Sequence, residues 1–327
     1  MNRINLAATA FAALLVVFQL AAPARSATRV WVSGSGDDVN GSNLICSITS
    51  PCATFQQAAD VAGAGGEINV LTPGDYGPLF VRNSLSITND GAGEASILAG
   101  PGSATQGTGI VVEAGAGDVV SLRGLVIDGQ GVGGEGISIF GASAVHIQNC
   151  VIRNFEQAER GLGISLSSSG NTKLFVSDTI IYNNGSSNQL SGGILIDPGG
   201  NIEVVLDRVH LENNVIGLSV DGGGFSQAIL RDSVVSGNAS IGVLANASPD
   251  NGSTLLVVEH SSIANNAGSG IRAQGQHAVI LLNGNSIKRN GTGISSLFGG
   301  QLISYGNNRN NNNIGAEGAP TSLYGRM

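Results

Sequence analysis

Short apolar runs, separated by glycine and asparagine, recur along the chain from residue 109 onward. Each repeat carries three of them, for example residues 145–147, 150–152 and 164–166. Successive residues of a strand point to opposite faces, so every second side chain of each run is expected to face inward. Glycine and asparagine tolerate the positive φ of tight turns, which places a turn at each break. The pattern predicts three strands and three turns in each repeat.

One glycine, followed by Ile, Leu or Val, holds the same position in every repeat. Successive copies lie 27, 27, 30, 24, 25, 28 and 23 residues apart, a mean of about 26. A period this short indicates a solenoid; the Leu-x-x-Leu-x-Leu phrase of leucine-rich repeats is absent, and a propeller blade needs ~40 residues. The sequence therefore predicts an all-β fold, a right-handed parallel β-helix with three strands per coil and about nine to ten coils. The glycines of this column are Gly109, Gly136, Gly163, Gly193, Gly217, Gly242, Gly270 and Gly293.

Stacking of the coils also predicts columns of like residues. At a strand spacing of ~4.8 Å, the side-chain amides of one column can hydrogen-bond to one another and to turn backbone. We expect this asparagine ladder at Asn154, Asn184, Asn214, Asn238, Asn266 and Asn290. A second column is expected to point inward, with its hydroxyl groups bonded to the backbone of the neighbouring coil. It consists of Leu125, Cys150, Thr179, Val209, Ser233, Ser261 and Asn285.

The first residues of the chain depart from the repeat. Residues 1–26 contain a basic residue, an apolar run and then small residues, which is the pattern of a secretory signal peptide. Cleavage is expected near residues 24–27. A spanning helix would need ~20 apolar residues, more than this run contains. The sequence predicts an exported protein, either secreted or periplasmic.

Both ends of a solenoid expose unpaired strand groups and need a cover. Residues 27–66 are expected to form a leader in which Thr54, with Gln three residues later, starts a helix over residues 54–62 that plugs the first coil. The β-helix is assigned to residues 67–306. A C-terminal cap or tail is assigned to residues 307–327.

Composition narrows the classes of partner. The net charge is -8 and the chain contains only two Lys residues, so it lacks the basic clusters that bind nucleic acid. Cys46 and Cys52 flank a short loop, a spacing that suits a local disulfide in an exported protein. A metal site is the alternative, although no His or second Cys pair lies nearby in sequence. Cys150 is expected to be a small buried hydrophobe.

The repeats resemble those of right-handed parallel β-helix proteins of the pectin-lyase-like superfamily, in the form found in exported bacterial proteins. The Gly-Ile-x-Ile and Ile-x-x-Asn phrases are similar to those of periplasmic copper-delivery and alginate-epimerase β-helices. The resemblance covers essentially the whole mature chain, and it implies a fold that carries many activities. Its further matches are residues 30–40, Cys46 to Cys52, Phe55, residues 66–68 and residues 304–308.

The catalytic phrases of this superfamily are absent. The chain has no Gly-His-Gly or Arg-Ile-Lys, no Trp-x-Asp-His, no Arg-x-Pro-x-x-Arg and no Asp-Pro-His. The resemblance therefore implies association with polysaccharide without identifying catalytic residues.

Two neighbouring outward columns carry charges that alternate in sign. The first reads Asn149, Asp178, Arg208, Asp232 and His260, and the second reads Gln148, Ser177, Asp207, Arg231 and Glu259. As a site, Asp178 and Asp232 would be acid and base with Arg208 binding a substrate carboxylate, since paired carboxylates ~5 to 9 Å apart can hydrolyse glycosides. As structure, the columns would form a ladder of surface salt bridges worth ~0 to 1 kcal/mol each. Regular alternation of sign favours the ladder.

Other candidate chemistry is sparse. The four His share no spacing suited to zinc or copper, so no metal or other cofactor is predicted. Phe140, Phe225 and Phe298 each follow a glycine-anchored strand and are expected to stack or plug at one corner, where packing is the expected role. The leading hypothesis is an exported monomeric β-helix that binds extracellular or cell-envelope polysaccharide. The alternatives are a polysaccharide lyase or glycoside hydrolase acting on an acidic polysaccharide, and a structural or adhesive surface protein.

Overall fold

The coils of this chain stack into a parallel β-helix in which each coil gives one strand to each of three sheets. The computed structural model describes residues 27–39, 45–100, 103, 105–158, 160–186, 191–247 and 252–324. The predicted signal peptide lies outside the described residues. One sheet has 9 strands, one from each of nine consecutive coils, which confirms the prediction of three strands per coil.

All strand pairs within the three sheets are parallel, and only one α-helix is present in the described residues. Sheet 1 contains β1 Arg29–Val32, β2 Gly66–Val70, β5 Leu85–Thr88, β8 Val119–Arg123, β11 Ala144–Gln148, β14 Thr172–Ser177, β17 Asn201–Asp207, β20 Phe225–Arg231, β23 Ser253–Glu259, β26 Ala278–Asn283, β29 Gln301–Ser304 and β31 Ser322–Leu323. Sheet 2 contains β4 Leu79–Val81, β7 Thr108–Glu113, β10 Glu135–Gly141, β13 Leu162–Leu166, β16 Gly192–Ile196, β19 Ile216–Asp221, β22 Val243–Asn246, β25 Ser269–Gln274 and β28 Thr292–Leu297. Sheet 3 contains β3 Gly74–Asp75, β6 Ala95–Leu98, β9 Leu125–Asp128, β12 Val151–Arg153, β15 Ile180–Tyr182, β18 His210–Glu212, β21 Val234–Ser236, β24 Ser262–Ala264, β27 Ser286–Lys288 and β30 Arg309–Asn310.

The core runs the length of the helix axis and is filled by the inward side chains of all three sheets. Leu174, Leu206 and Leu230 are fully buried in it. At the glycine column the backbones of adjacent coils come too close for a side chain. A Cβ at Gly163 would lie 2.6 Å from the carbonyl oxygen of Gly193 and 2.5 Å from Ile181 Cγ2. The repeated glycine therefore reflects close packing between coils.

The asparagine ladder lies at the turn from sheet 3 to sheet 2. Asn238 Nδ2 donates to Asn266 Oδ1 at 2.8 Å, and Asn266 Nδ2 donates to Asn290 Oδ1 at 2.8 Å. The predicted member Asn154 is wrong. Arg153 pairs with Tyr182, and the ladder residue Asn184 follows Tyr182 by two positions, so the equivalent position after Arg153 is Phe155. Its backbone N–H donates to Asn184 Oδ1 at 3.1 Å.

The displaced residue, Asn154, lies one position earlier with φ 62°, at the left-handed point of the turn. The ladder continues instead to Asn313, whose Oδ1 accepts from Asn290 Nδ2 at 3.0 Å. The predicted asparagine ladder is therefore shifted by one residue at the coil of Asn154. It also extends one coil further than predicted, to Asn313.

The second column, at the turn from sheet 1 to sheet 3, is confirmed. Ser233 Oγ accepts from the backbone N–H of Val209, and Ser261 Oγ accepts from that of Ser233, both at 3.1 Å. Asn285 Oδ1 accepts from the N–H of Ser261 at 3.0 Å. Short polar side chains at this position satisfy buried turn donors that no strand partner reaches.

Helix α1, Phe55–Ala62, covers the N-terminal end as predicted. Thr54 Oγ1 accepts from the backbone N–H of Gln57 at 3.2 Å, and the helix ends at Gly63 with φ 67°. Phe55 packs against Tyr76 with ring centroids 4.8 Å apart. The predicted disulfide joins Cys46 to Cys52, with a Cα–Cα distance of 4.9 Å. At the other end, β30 and β31 extend sheets 3 and 1.

Candidate functional site

The charged columns lie at the corner between sheets 1 and 3, where Asp178, Arg208 and Asp232 occupy the same turn position in successive coils. All three have positive φ, at 50°, 52° and 50°. Arg208 Nε donates to Asp178 Oδ1 at 2.7 Å and Arg208 Nη2 donates to Asp178 Oδ2 at 3.0 Å. Arg208 also pairs with Asp207. Arg231 continues the row, with its Nε 3.0 Å from Asp207 Oδ1.

These contacts form only part of the ladder that the sequence favoured, because among the described residues no ion pair joins Arg208 to Asp232 or Arg231 to Glu259. The structure brings Asp178 and Arg208 together, while Asp232 lies exposed in the next coil. Hydrogen bonds from Arg208 hold the pKa of Asp178 below its usual range, which disfavours a proton donor there at neutral pH. The fork of Arg208 is already directed at two carboxylates of this chain. The catalytic role of Asp178, Arg208 and Asp232 stays a prediction.

A second carboxyl pair lies at the C-terminal ends of two adjacent strands of sheet 2, and the sequence pattern did not predict it. Asp221 ends β19, and Asp197 follows β16 in the preceding coil. Asp221 Oδ1 accepts from Ser219 Oγ at 3.2 Å. Burial, together with the charge of Asp197, raises the pKa of Asp221 to about 6. This carboxyl can therefore exchange a proton near neutral pH.

This raised pKa predicts a pH-dependent stability. The folded protein holds the proton of Asp221 more tightly than the unfolded chain, whose carboxyl has the ordinary pKa of 3.8. The contribution of this residue to the free energy of unfolding is therefore complete below pH ~4 and is lost as the pH rises through ~6. We expect Asp221→Asn to raise the free energy of unfolding by about 2 kcal/mol at pH 7.5 and to change it little at pH 4. Urea unfolding at the two pH values measures the difference. Asp60→Asn, at an exposed helix position, is the matched control, and an equal gain at both pH values would contradict the assignment.

A groove of about 440 Å³ lies at the corner where the chain passes from sheet 2 to sheet 1. We call it the corner groove. Lys173 and Glu203 both line the groove and form an exposed ion pair, with Nζ and Oε2 2.8 Å apart. Phe225 borders it and is 43% exposed. The remaining lining residues are Ala116, Ser143, Asn171, Thr172, Asn201, Ile202 and Gln227.

The corner groove continues into a shallower one of about 230 Å³ that shares Ala116, Asn171 and Thr172 with it. Phe140 borders this second groove and is 45% exposed. Phe298 lies at the same corner further along and is 78% exposed. The expectation that these three phenylalanines pack into the protein is wrong, because the corner turns point their rings to solvent.

The remaining reactive side chains form no site of their own. In the described ranges, no three His, Cys, Asp or Glu residues come together as a potential metal site. His146 stacks on Phe175 with centroids 4.8 Å apart, and His210 Nδ1 lies 3.0 Å from Glu212 Oε1. Cys150 is buried, which raises the pKa of its thiol to about 11, as expected for a core residue.

The signal for the unanticipated residues was present in the repeat. Asp197 and Asp221 are 24 residues apart, which equals the step from Gly193 to Gly217 in the same two coils. Applying the glycine step to every outward acid would have placed the two carboxyls together.

Comparison with known proteins agrees with this architecture. The profile of the right handed beta helix region matches residues 108–255. The crystal structure of pectate lyase Pel9A superposes with a TM-score of 0.55 at 14% sequence identity, covering 88% of this chain and 80% of that chain. No curated protein sequence matches the chain significantly. None of the helical segments in the described part has the length and hydropathy needed to cross a bilayer. The chain therefore has the right-handed parallel β-helix fold of the pectin-lyase-like proteins.

Proposed function

We propose that this chain is an exported β-helix protein that binds an extracellular or cell-envelope polysaccharide in the corner groove without cleaving it. The observation that carries the proposal is the groove of about 440 Å³ bordered by the exposed ring of Phe225 and lined by amide and charged side chains. Ligand sites are concave and combine apolar surface with a few convergent polar groups.

The chemistry of the lining suits a sugar. Asn171, Asn201 and Gln227 each offer an amide that both donates and accepts, which matches the hydroxyl groups of a pyranose. The ring of Phe225 offers an apolar face for the C–H face of the sugar ring. Lys173 and Glu203, which form an ion pair at the surface, offer a further donor and a further acceptor to sugar hydroxyl groups.

The length of the site suits a polymer. Phe140 belongs to the coil of β10 and Phe225 to the coil of β20, three coils further on. At ~4.8 Å per coil, the two rings bracket about 14 Å of continuous groove. An extended chain of several sugar units would contact both.

Two features support export as part of the proposal. The Cys46–Cys52 disulfide is of a kind that persists in oxidising compartments. The pattern of residues 1–26 is that of a signal peptide, and a secreted or periplasmic location follows from it.

Cleavage of an acidic polysaccharide is the second candidate function. Asp221 favours it, because a carboxyl whose pKa is about 6 can serve as general acid or base at a site that also holds Asp197. Arg272 lies in the same sheet two strands further along, and its Nη2 donates to Ser269 Oγ at 3.1 Å. The alternative residues for this chemistry are Asp178, Arg208 and Asp232.

Phe225→Ala is expected to weaken binding of a matching oligosaccharide about fivefold or more, because the ring supplies roughly 1 kcal/mol of stacking beyond its buried area. Isothermal titration of the mature protein against a panel of neutral and acidic oligosaccharides gives the measurement. Phe298→Ala removes a more exposed ring at the same corner, three coils beyond Phe225, and serves as the control.

Equal losses in both variants, or no binding to any member of the panel, would contradict the corner groove as the site. Turnover is measured in parallel, by ultraviolet absorbance of lyase products and by reducing ends. Turnover that disappears in Asp232→Asn or in Asp221→Asn would replace the binding function by the enzymatic one.

A further inference from the structure

The outer face of sheet 1 carries an apolar surface that the corner groove does not use. Alternation assigns polar residues to an outer face, yet the middle outward positions of β20, β23 and β26 are aliphatic. The central outward row pairs in register from β14 to β29 and contains no polar side chain. Together with two residues of the adjacent row it forms what we call the apolar face. Its members are Phe175, Val205, Ile229, Val257, Leu281 and Ile303, with Leu255 and Val279 beside them.

These side chains lie on the surface because their strand neighbours fill the core. Leu256 and Val258 are fully buried, so Val257 between them faces outward. Ile229 is 37% exposed, and the others shield one another partly. A groove of about 250 Å³ on this face is lined mainly by aliphatic side chains, including Leu255 and Val257. Contiguous apolar surface of this kind marks an interaction site in a soluble protein.

The chemistry of the face and of its edges selects the occupant. A sugar would find no hydrogen-bonding side chain in the central row. Anionic lipid is disfavoured because the flanking rows carry Glu203, Asp207 and Glu259 and the chain has a net charge of -8. We propose that the apolar face binds the same face of a second copy of this chain, forming a twofold symmetric dimer.

The charged row beside the face fixes the direction of the twofold axis. With the axis along the helix, Asp207 of one copy would lie opposite Glu203 of the other, which places like charges together. The alternative axis runs along the strands, midway between β20 and β23. It places β20 of one copy opposite β23 of the other, so the row of Asp207, Arg231 and Glu259 faces the same row of the second copy with the order of its residues reversed. Arg231 then faces Glu259 of the second copy, twice per dimer.

The same axis matches apolar side chains throughout the central row. Ile229 faces Val257 of the second copy, Val205 faces Leu281 and Phe175 faces Ile303. Arg231 keeps its contact with Asp207 at 3.0 Å, and Glu259 receives only a long hydrogen bond from Asn283 Nδ2 at 3.5 Å, which leaves its carboxylate accessible to a second cation.

The apolar face by itself is smaller than a standard interface. Six strands at ~4.8 Å spacing and three rows of side chains make a face of about 24 Å by 14 Å, roughly 340 Å². A standard interface buries about 800 Å² on each partner, so the apolar face would form only the dry centre, and the rows and turns around it would supply the remaining area as a polar rim. The proposed dimer differs from the monomer expected from the sequence.

The mature protein is expected to have twice the monomer mass by light scattering after size exclusion at micromolar concentration. Val257→Lys puts a charge at the centre of the face without altering the core and should raise the dimer dissociation constant at least about a hundredfold. Ile180→Lys changes a more exposed aliphatic residue on the outer face of sheet 3 and should leave the mass unchanged. Circular dichroism confirms that both variants fold.

Charge reversal tests the orientation separately. Arg231→Glu and Glu259→Arg should each weaken the dimer about tenfold, and the double variant should recover most of the loss. A monomeric native protein would overturn the proposal, as would a dimer unaffected by Val257→Lys. Additive losses in the double variant would overturn the proposed axis. Because Val257 lies outside the corner groove, these results do not depend on whether the protein binds polysaccharide.

Discussion

Asn238→Ala is expected to lower the free energy of unfolding by about 3 kcal/mol, one of the two largest effects of a single substitution in this chain. The side chain is fully buried. Its Oδ1 accepts from the backbone N–H of Asn214 at 3.0 Å, and its Nδ2 donates to Leu211 O at 3.1 Å and to Asn266 Oδ1 at 2.8 Å. Alanine would leave the Asn214 N–H buried without its acceptor and would open a small cavity.

Urea unfolding followed by circular dichroism measures this loss. Asn201→Ala, at an exposed position at the start of β17, is the control and should change stability by less than about 0.5 kcal/mol. Asn238→Asp keeps the acceptor but brings an oxygen against the carbonyl of Leu211, so it should be at least as destabilising as alanine. Similar stabilities for Asn238→Ala and Asn201→Ala would show that the ladder does not hold adjacent coils together.

Gly217→Ala is expected to destabilise the protein by roughly 2 to 3 kcal/mol through steric conflict between coils. The added Cβ would lie 2.5 Å from the carbonyl oxygen of Gly242 and 2.7 Å from Val235 Cγ1. The first contact is with backbone of the next coil, which can move only if the strand pairing on both sides moves with it. The conflict is therefore not relieved by rotating a side chain.

The matched control is Gly117→Ala, where an added Cβ meets nothing within 4 Å. Its stability should equal that of the native protein or exceed it slightly, since alanine restricts the unfolded chain. Thermal unfolding of the three proteins gives the comparison. If Gly217→Ala unfolded at the native temperature, the glycine column would have to be explained by something other than close approach of coils.

Much of the fold follows from local sequence. The apolar runs predicted as strands at residues 145–147 and 164–166 are observed within β11 and β13. The helix is observed one residue shorter than predicted, because Thr54 acts as its N-cap. These predictions succeed because alternation and capping depend on residues close together in the chain.

The asparagine ladder shows where the sequence becomes ambiguous. Ile152 pairs with Ile181, a step of 29 residues, whereas Ile164 pairs with Ile194, a step of 30. Turns of unequal length therefore shift the register within a single coil. Counting the same number of residues for the whole coil assigned Asn154 to the ladder. The pairing of the inward residues Ile152 and Ile181 instead places Phe155 at that position.

The candidate sites depended more strongly on three dimensions. The salt bridges of Arg208 followed from alternating charge, but the exposure of Phe225 did not, because it depends on the path of the turns around it. The proximity of Asp221 to Asp197 required the register of two particular coils. Burial then raised the pKa of Asp221, and no local pattern reports burial of an outward side chain.

By itself, the sequence determined the solenoid, its three strands per coil, the inward columns, the capping helix and the Cys46–Cys52 pairing. It could do so because each coil contacts only the coils before and after it, and those coils carry the same sequence pattern. The tertiary structure decided which outward side chains share a surface. The corner groove and the apolar face of sheet 1 are assembled from several coils, and their shape depends on turn lengths and on mutual shielding that no single repeat contains.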